Sequence, residues 1–181
     1  MPSKVIETNA ARVPLEKTRP DLAVQTGVTA KDEFPIGRGD VVGIITTGGL
    51  ARRRTQAAVT GTAFATNSPT GTVDDGTVFA VGDVLKNAAG TTVGTIQSIS
   101  GNTITLTGNA GVAVATAANV FGSDGSQTAK GVADEGADGE GNTPIRIFIG
   151  GYLDETLINR LDATAKTDLG GVSTVGGIFK F

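Results

Sequence analysis

The chain of 181 residues has no cysteine, no histidine and no tryptophan, and its only tyrosine is Tyr152. Without cysteine there is no disulfide and no thiol nucleophile. Without cysteine and histidine together, the usual Cys/His zinc sites and the commonest neutral-pH general base are also excluded. Most familiar hydrolase and transferase machineries need one of these groups. The redox compartment stays open, because a cysteine-free chain tolerates reducing and oxidising surroundings equally. Scarce aromatics remove the stacking platforms on which sugar-binding and single-strand-binding faces are built. No apolar run approaches bilayer-spanning length, and the start MPSKVIETNAARV reads as neither a signal peptide nor a lipidation site. A soluble protein without an export address is the expectation.

Charge is short on the positive side. The formal net charge is −3 and the isoelectric point about 4.9. This argues against a sequence-independent nucleic-acid binder, whose affinity would come from Lys and Arg on phosphates. The only dense basic run is Arg52, Arg53 and Arg54.

What the chain does have is turn chemistry and β-branched residues. From Val81 to Val114, short runs holding Val93, Ile96, Ile99, Ile104 and Leu106 are punctuated by Ala89-Gly90 and Gly101-Asn102, which predicts small strands joined by tight hairpins. Ser-Pro at 68–69 and Asp-Gly at 75–76 add turns upstream, so residues 57–122 read as an inserted β-module. Before it, VVGIITTGG and LARRRTQAAV predict a hairpin closed at Gly48-Gly49.

After the module, Ala129–Ala133 reads as a strand, and PIRIFIGGYL as a second one with Ile145, Ile147 and Ile149 on one face and Arg146 and Phe148 on the other. Leu153, Leu157, Ile158, Leu161 and Ala165 then predict an amphipathic helix. Asp154 is its expected cap, Asp162 and Lys166 an i,i+4 pair, and Gly170-Gly171 its stop. A β-type segment ending IFKF closes the chain.

Residues 1–35 carry four prolines and no sustained period, and are read as an extended arm. Its apolar residues Val5, Val13, Leu15, Leu22 and Val24 leave two uses open, docking on a neighbour or a frayed terminus. The expected fold class is therefore mainly β: a small mixed β core (36–56 and 123–181) with one helix in its C-terminal half, an inserted hairpin- or barrel-like module and an N-terminal arm.

The chemistry-bearing residues are few. Gly37–Asp40 spells GRGD, for which a turn into the following strand is preferred over receptor binding. Asp134, Glu135, Asp138, Glu140 and Asn142 offer oxygen ligands of the kind Ca²⁺ takes, but their spacing matches no EF-hand loop, and a solvated acidic loop is preferred. Asp74 and Asp75 lie in a Gly-rich turn without the apolar surroundings that would tune an acid–base pair. The glycine doublets at 48–49, 150–151 and 176–177 lack any phosphate-binding context. Arg52 and Arg54 can share one face of a strand, either guarding an exposed edge or pairing between subunits. No cofactor or metal is expected.

The order of parts resembles a family. The hairpin DVVGIITTGGLARRRTQ, then AKGV, the acidic loop, IRIFIGG, the helix and IFKF are similar to the head decoration (cement) proteins of tailed bacteriophages, of the lambda head decoration type, over about residues 36–56 and 123–181. The resemblance implies a non-enzymatic virion protein, made in the host cytoplasm. It would sit as a homotrimer on the outside of the capsid and stabilise the major capsid protein lattice. The N-terminal arm would order on the capsid, and neither nucleic acid nor membrane would be a partner. The module at 57–122 has no counterpart in the small form of the family. If that module is instead a recognition surface, a tail, fibre or adhesin component is the alternative; an enzyme using the acidic loop ranks last.

Overall fold

The PIRIFIGGYL segment alternates as a strand should, and in the computed structural model, which describes residues 23–31, 33–171 and 179–180, it becomes the longest strand of a closed barrel. The barrel is built from β1 (Ala23–Ala30), β2 (Val41–Ile44), β3 (Ala51–Arg53), β10 (Gly131–Ala133) and β11 (Thr143–Tyr152). The strands run in the order β1-β3-β2-β10-β11, and β11 pairs back onto β1. A short β12 (Phe179–Lys180) lies parallel to the end of β11. The expected fold class, mainly β with one α-helix, is what the described residues have.

Period-2 alternation sorts the barrel's apolar side chains into two clusters. Val28, Ala30, Val42, Ala51, Ala133, Ile145 and Ile147 belong to one. Their neighbours Val41, Val132 and Phe148 belong to the other, together with Ala165 and Leu169 of the helix α1 (Ala163–Gly171). Both faces of β11 are thus covered, one by the barrel core and one by the helix side. Each fully buried large side chain contributes about 1.5–3 kcal/mol.

Residues from Gln56 to Phe121 make a second sheet. Its strands β4 (Gln56–Ala58), β5 (Thr70–Thr72), β6 (Val84–Asn87), β7 (Thr92–Ser100), β8 (Thr103–Leu106) and β9 (Asn119–Phe121) run in the order β4-β9-β6-β7-β8-β5. A bridge between Val59 and Val73 and a 2.7 Å bond from the Thr60 amide to the Thr72 carbonyl join its two ends, so this sheet curls onto itself as well. Phe64, Leu85, Ile96, Ile104 and Leu106 fill it. The Ala89-Gly90 and Gly101-Asn102 turns connect β6 to β7 and β7 to β8.

Three expectations need correction. Residues 23–35 are no arm: β1 pairs with β11 from Ala23 to Ala30, and Val28, Ala30 and Phe34 are buried. Val24 pairs with Phe148, whereas Val5, Val13, Leu15 and Leu22 lie outside the described residues.

LARRRTQAAV is not one strand either. It breaks at Arg54-Thr55, where the chain crosses from β3 of the first sheet into β4 of the second.

The helix starts later than its apolar spacing predicts. Asp154 caps only a single 3-10 turn, Glu155–Leu157. Arg160 then takes a left-handed conformation (φ 61) that no helix accommodates. Asp162 caps α1 instead, its Oδ1 accepting from the Ala165 amide at 2.7 Å. Lys166 pairs with Glu155 rather than with Asp162, and Gly170 and Gly171 are the last helical residues rather than a stop beyond it. The apolar spacing is nevertheless satisfied, because Leu153 and Ile158 bury in the same cluster as Ala165 and Leu169.

Candidate functional site

Arginine residues at three successive positions of a strand and its exit must point in different directions. Here each one finds a separate set of carboxylates. Arg52, only 2 % exposed, pairs with Asp83 at 3.1 Å and Asp124 at 3.0 Å, and donates to the Val78 carbonyl at 2.7 Å. Its guanidinium also covers the Phe34 ring, 3.8 Å from the centroid. Arg53 reaches Asp75 at 2.6 Å and Asp40 at 3.5 Å. Arg54, 3 % exposed, donates to Asp162 at 2.9 Å and to the Gln127 carbonyl at 2.9 Å, with Asp168 3.8 Å away.

A fourth arginine completes the group. Arg160, held in its left-handed conformation, donates to Asp75 at 3.0 Å, to Asp74 at 3.5 Å and to the Gln56 carbonyl at 2.7 Å. Gln56 in turn donates to Asp162 at 2.6 Å. The result is a charged seam between the two barrels, four arginines among seven aspartates. A shallow open cleft of about 280 Å³, lined by Asp74, Arg160, Leu161 and Asp162, marks its rim.

Asp75 is the most constrained carboxylate of the seam. It caps the 3-10 turn Gly76–Val78, accepting from the Thr77 amide at 2.9 Å and the Thr77 hydroxyl at 2.5 Å. Burial pushes its carboxyl up, but the Thr77 hydrogen bonds and Arg53 outweigh burial and hold it below the ordinary carboxylate value. The arrangement therefore favours the ionised form of Asp75.

The arginines expected on an exposed strand, Arg52 and Arg54, are buried, do not share partners, and pair with carboxylates of the same chain. The GRGD segment is a turn in which the Gly37 amide donates to Asp40 at 2.7 Å. Asp40 is buried, and Arg38 lies against Asp134. In the acidic loop, Asp134 and Glu135 both meet Arg146, at 2.8 and 3.0 Å. Asp138 accepts from the Glu140 amide. Among the described residues no three such side chains gather in a metal-holding group.

Sequence reading singled out Arg52, Arg54, Asp74 and Asp75 but missed Asp83, Asp124, Gln56 and Arg160. No local signal marks them: folding brings Asp83, Asp124 and Arg160 in from distant parts of the chain, and Gln56, two residues from Arg54, enters only through its bond to the distant Asp162. No family model, curated protein or solved structure matches this chain.

Proposed function

We propose that this chain is a non-enzymatic virion structural protein, a head decoration protein of a tailed bacteriophage. As a trimer it binds the outside of the capsid and stabilises the major capsid protein lattice. The observation that supports this reading is the position of β1. This strand pairs along its length with β11, but with β3 only at Ala30, so among the described residues most of its second edge carries no partner strand. A strand whose second edge is largely unpaired among the described residues, entered directly from residues 1–22, suits a protein that clamps a lattice by adding main-chain hydrogen bonds. Binding the assembled shell and not its free subunits would stabilise the shell by mass action.

The test is reconstitution. Full-length protein added to expanded capsids lacking decoration should saturate them and raise their melting temperature, and a chain lacking residues 1–22 should do neither. Saturation by that truncated chain, or density on the tail instead of the capsid in a reconstruction, would overturn the reading. Removing residues 1–35 is a different experiment, since it also deletes β1 and the buried Val28, Ala30 and Phe34.

A further inference from the structure

We propose that the seam is an acid-releasable latch: the second barrel docks on the first through arginine–aspartate pairs, and swings free about Thr55 and Gly122 while both barrels stay folded. Three observations carry this, and none depends on the capsid reading.

Between residues 57 and 122 the chain has only four charged side chains, Asp74, Asp75, Asp83 and Lys86. All three acids are spent at the seam, Asp83 on Arg52, Asp75 on Arg53 and Arg160, and Asp74 on Arg160. A domain whose every carboxylate faces one side is oriented by charge.

The apolar cores are separate. The cluster that fills the second barrel, from Ala57 to Val120, includes no residue of the first barrel, and neither cluster of the first barrel includes one of the second. Docking therefore lacks a shared apolar cluster, which acid would leave intact. The seam also holds Arg52 Nε and Gln56 Oε1 buried without hydrogen-bond partners, an arrangement weaker than a fully satisfied network.

The tether is narrow. The chain leaves the first barrel at Thr55 and returns at Gly122, and the Gly122 amide donates to the Thr55 carbonyl at 2.9 Å. The strands β4 and β9 that follow and precede these residues are paired neighbours, Gln56 opposite Phe121. Two adjacent strands make a hinge.

The charged groups of the seam face one another in sets of opposite sign, with the Thr77 hydroxyl and the Val78 and Gln56 carbonyls as neutral neighbours. Arg52 faces Asp83, Asp124 and the Phe34 ring, over which Lys31 also lies. Arg53 faces Asp40 and Asp75, Arg54 faces Asp162 and Asp168, and Arg160 faces Asp74 and Asp75. At neutral pH the aspartates outnumber the arginines. All four arginines stand on the first barrel's side, so once Asp74, Asp75 and Asp83 are protonated the attraction that holds the second barrel against them is lost and the docked state is no longer favoured. Asp75, held below the ordinary carboxylate value, is a late group to protonate, so opening completes at the acid end of the range.

Because the chain has no cysteine, spin labels can be placed uniquely at Asn109→Cys on the second barrel and Thr164→Cys on the helix. Between about pH 7 and about pH 2.5, the single narrow interlabel distance should lengthen and broaden, while amide protons in both barrels stay protected. A triple variant, Asp74→Asn with Asp75→Asn and Asp83→Asn, should show the broad distribution already at neutral pH. Arg160→Gln alone should move the opening to higher pH. A distance that stays narrow in acid with both barrels protected overturns the proposal. So does simultaneous loss of protection in both barrels, or a triple variant that unfolds as a whole, since either makes the seam part of one cooperative core.

Discussion

The guanidinium of Arg52 stacks 3.8 Å from the ring centroid of Phe34 while its nitrogens reach Asp83 and Asp124, so one side chain joins the first barrel's wall to the second barrel's charged edge. A planar, permanently charged fork can do both at once, and an ammonium cannot.

Arg52→Ala should therefore cost about 3–5 kcal/mol, because it leaves Asp83 and the Val78 carbonyl without their buried donor. Arg52→Lys keeps the charge but loses the fork, and should recover only part of that stability. Chemical denaturation of both variants checks this; equal stability of Arg52→Lys and the parent would refute the role of the fork.

Phe64 lies at the centre of the second barrel, fully buried. Phe64→Ala should destabilise that barrel by about 3–5 kcal/mol. If the barrels are separate units, hydrogen exchange should accelerate between Gln56 and Phe121 and not in β10 or β11. Acceleration spread evenly over both would count against separation.

At Gly43 a Cβ atom would sit 2.0 Å from the Ser126 carbonyl oxygen, a clash with backbone that no rotamer relieves. Gly43→Ala should cost about 1–3 kcal/mol. Gly108→Ala, with nothing within 4 Å and no left-handed φ, should stay within about 0.5 kcal/mol of the parent. Thermal melts of the pair test whether close approach, and not glycine as such, sets the cost.

Asp75 has a folded-state carboxyl below its ordinary value, so the unfolded chain binds its proton more readily. Its contribution to stability is then complete above the ordinary carboxylate range and disappears as pH falls through the folded value. Asp75→Asn should remove that part of the acid dependence and flatten the stability profile at the acid end. An unchanged profile in denaturation across that range would mean that other carboxylates carry it.

Local pattern made part of this architecture readable. Ile145 and Ile147 alternate with Arg146 and Phe148, and the structure places the isoleucines and Phe148 in separate clusters on the two sides of β11. The turns at 89–90 and 101–102 were equally legible, because a hairpin is decided by a few adjacent residues. The strand break at Arg54-Thr55 was not, since nothing in LARRRTQAAV signals a change of sheet. The seam was invisible for a related reason. Arg52 meets a carboxylate 31 residues on and another 72 residues on, and Arg54 meets one 108 residues away. A run of three arginines looks solvated until tertiary structure supplies partners, and a single strand cannot announce them. The helix start was misplaced because apolar spacing records what is buried and not which backbone conformation buries it; Arg160 interrupts the helix without altering the spacing.

The 2.9 Å contact between the Thr55 carbonyl and the Gly122 amide also fixes what the first barrel requires of everything in between. It requires two chain ends lying side by side in an antiparallel pair, and closure cost grows only slowly with the length enclosed. The position is a natural grafting point. A foreign domain with adjacent termini can be spliced there and carried on the same scaffold, provided it either supplies carboxylates to Arg52, Arg53 and Arg160 or is joined to a version of the barrel in which those arginines are replaced.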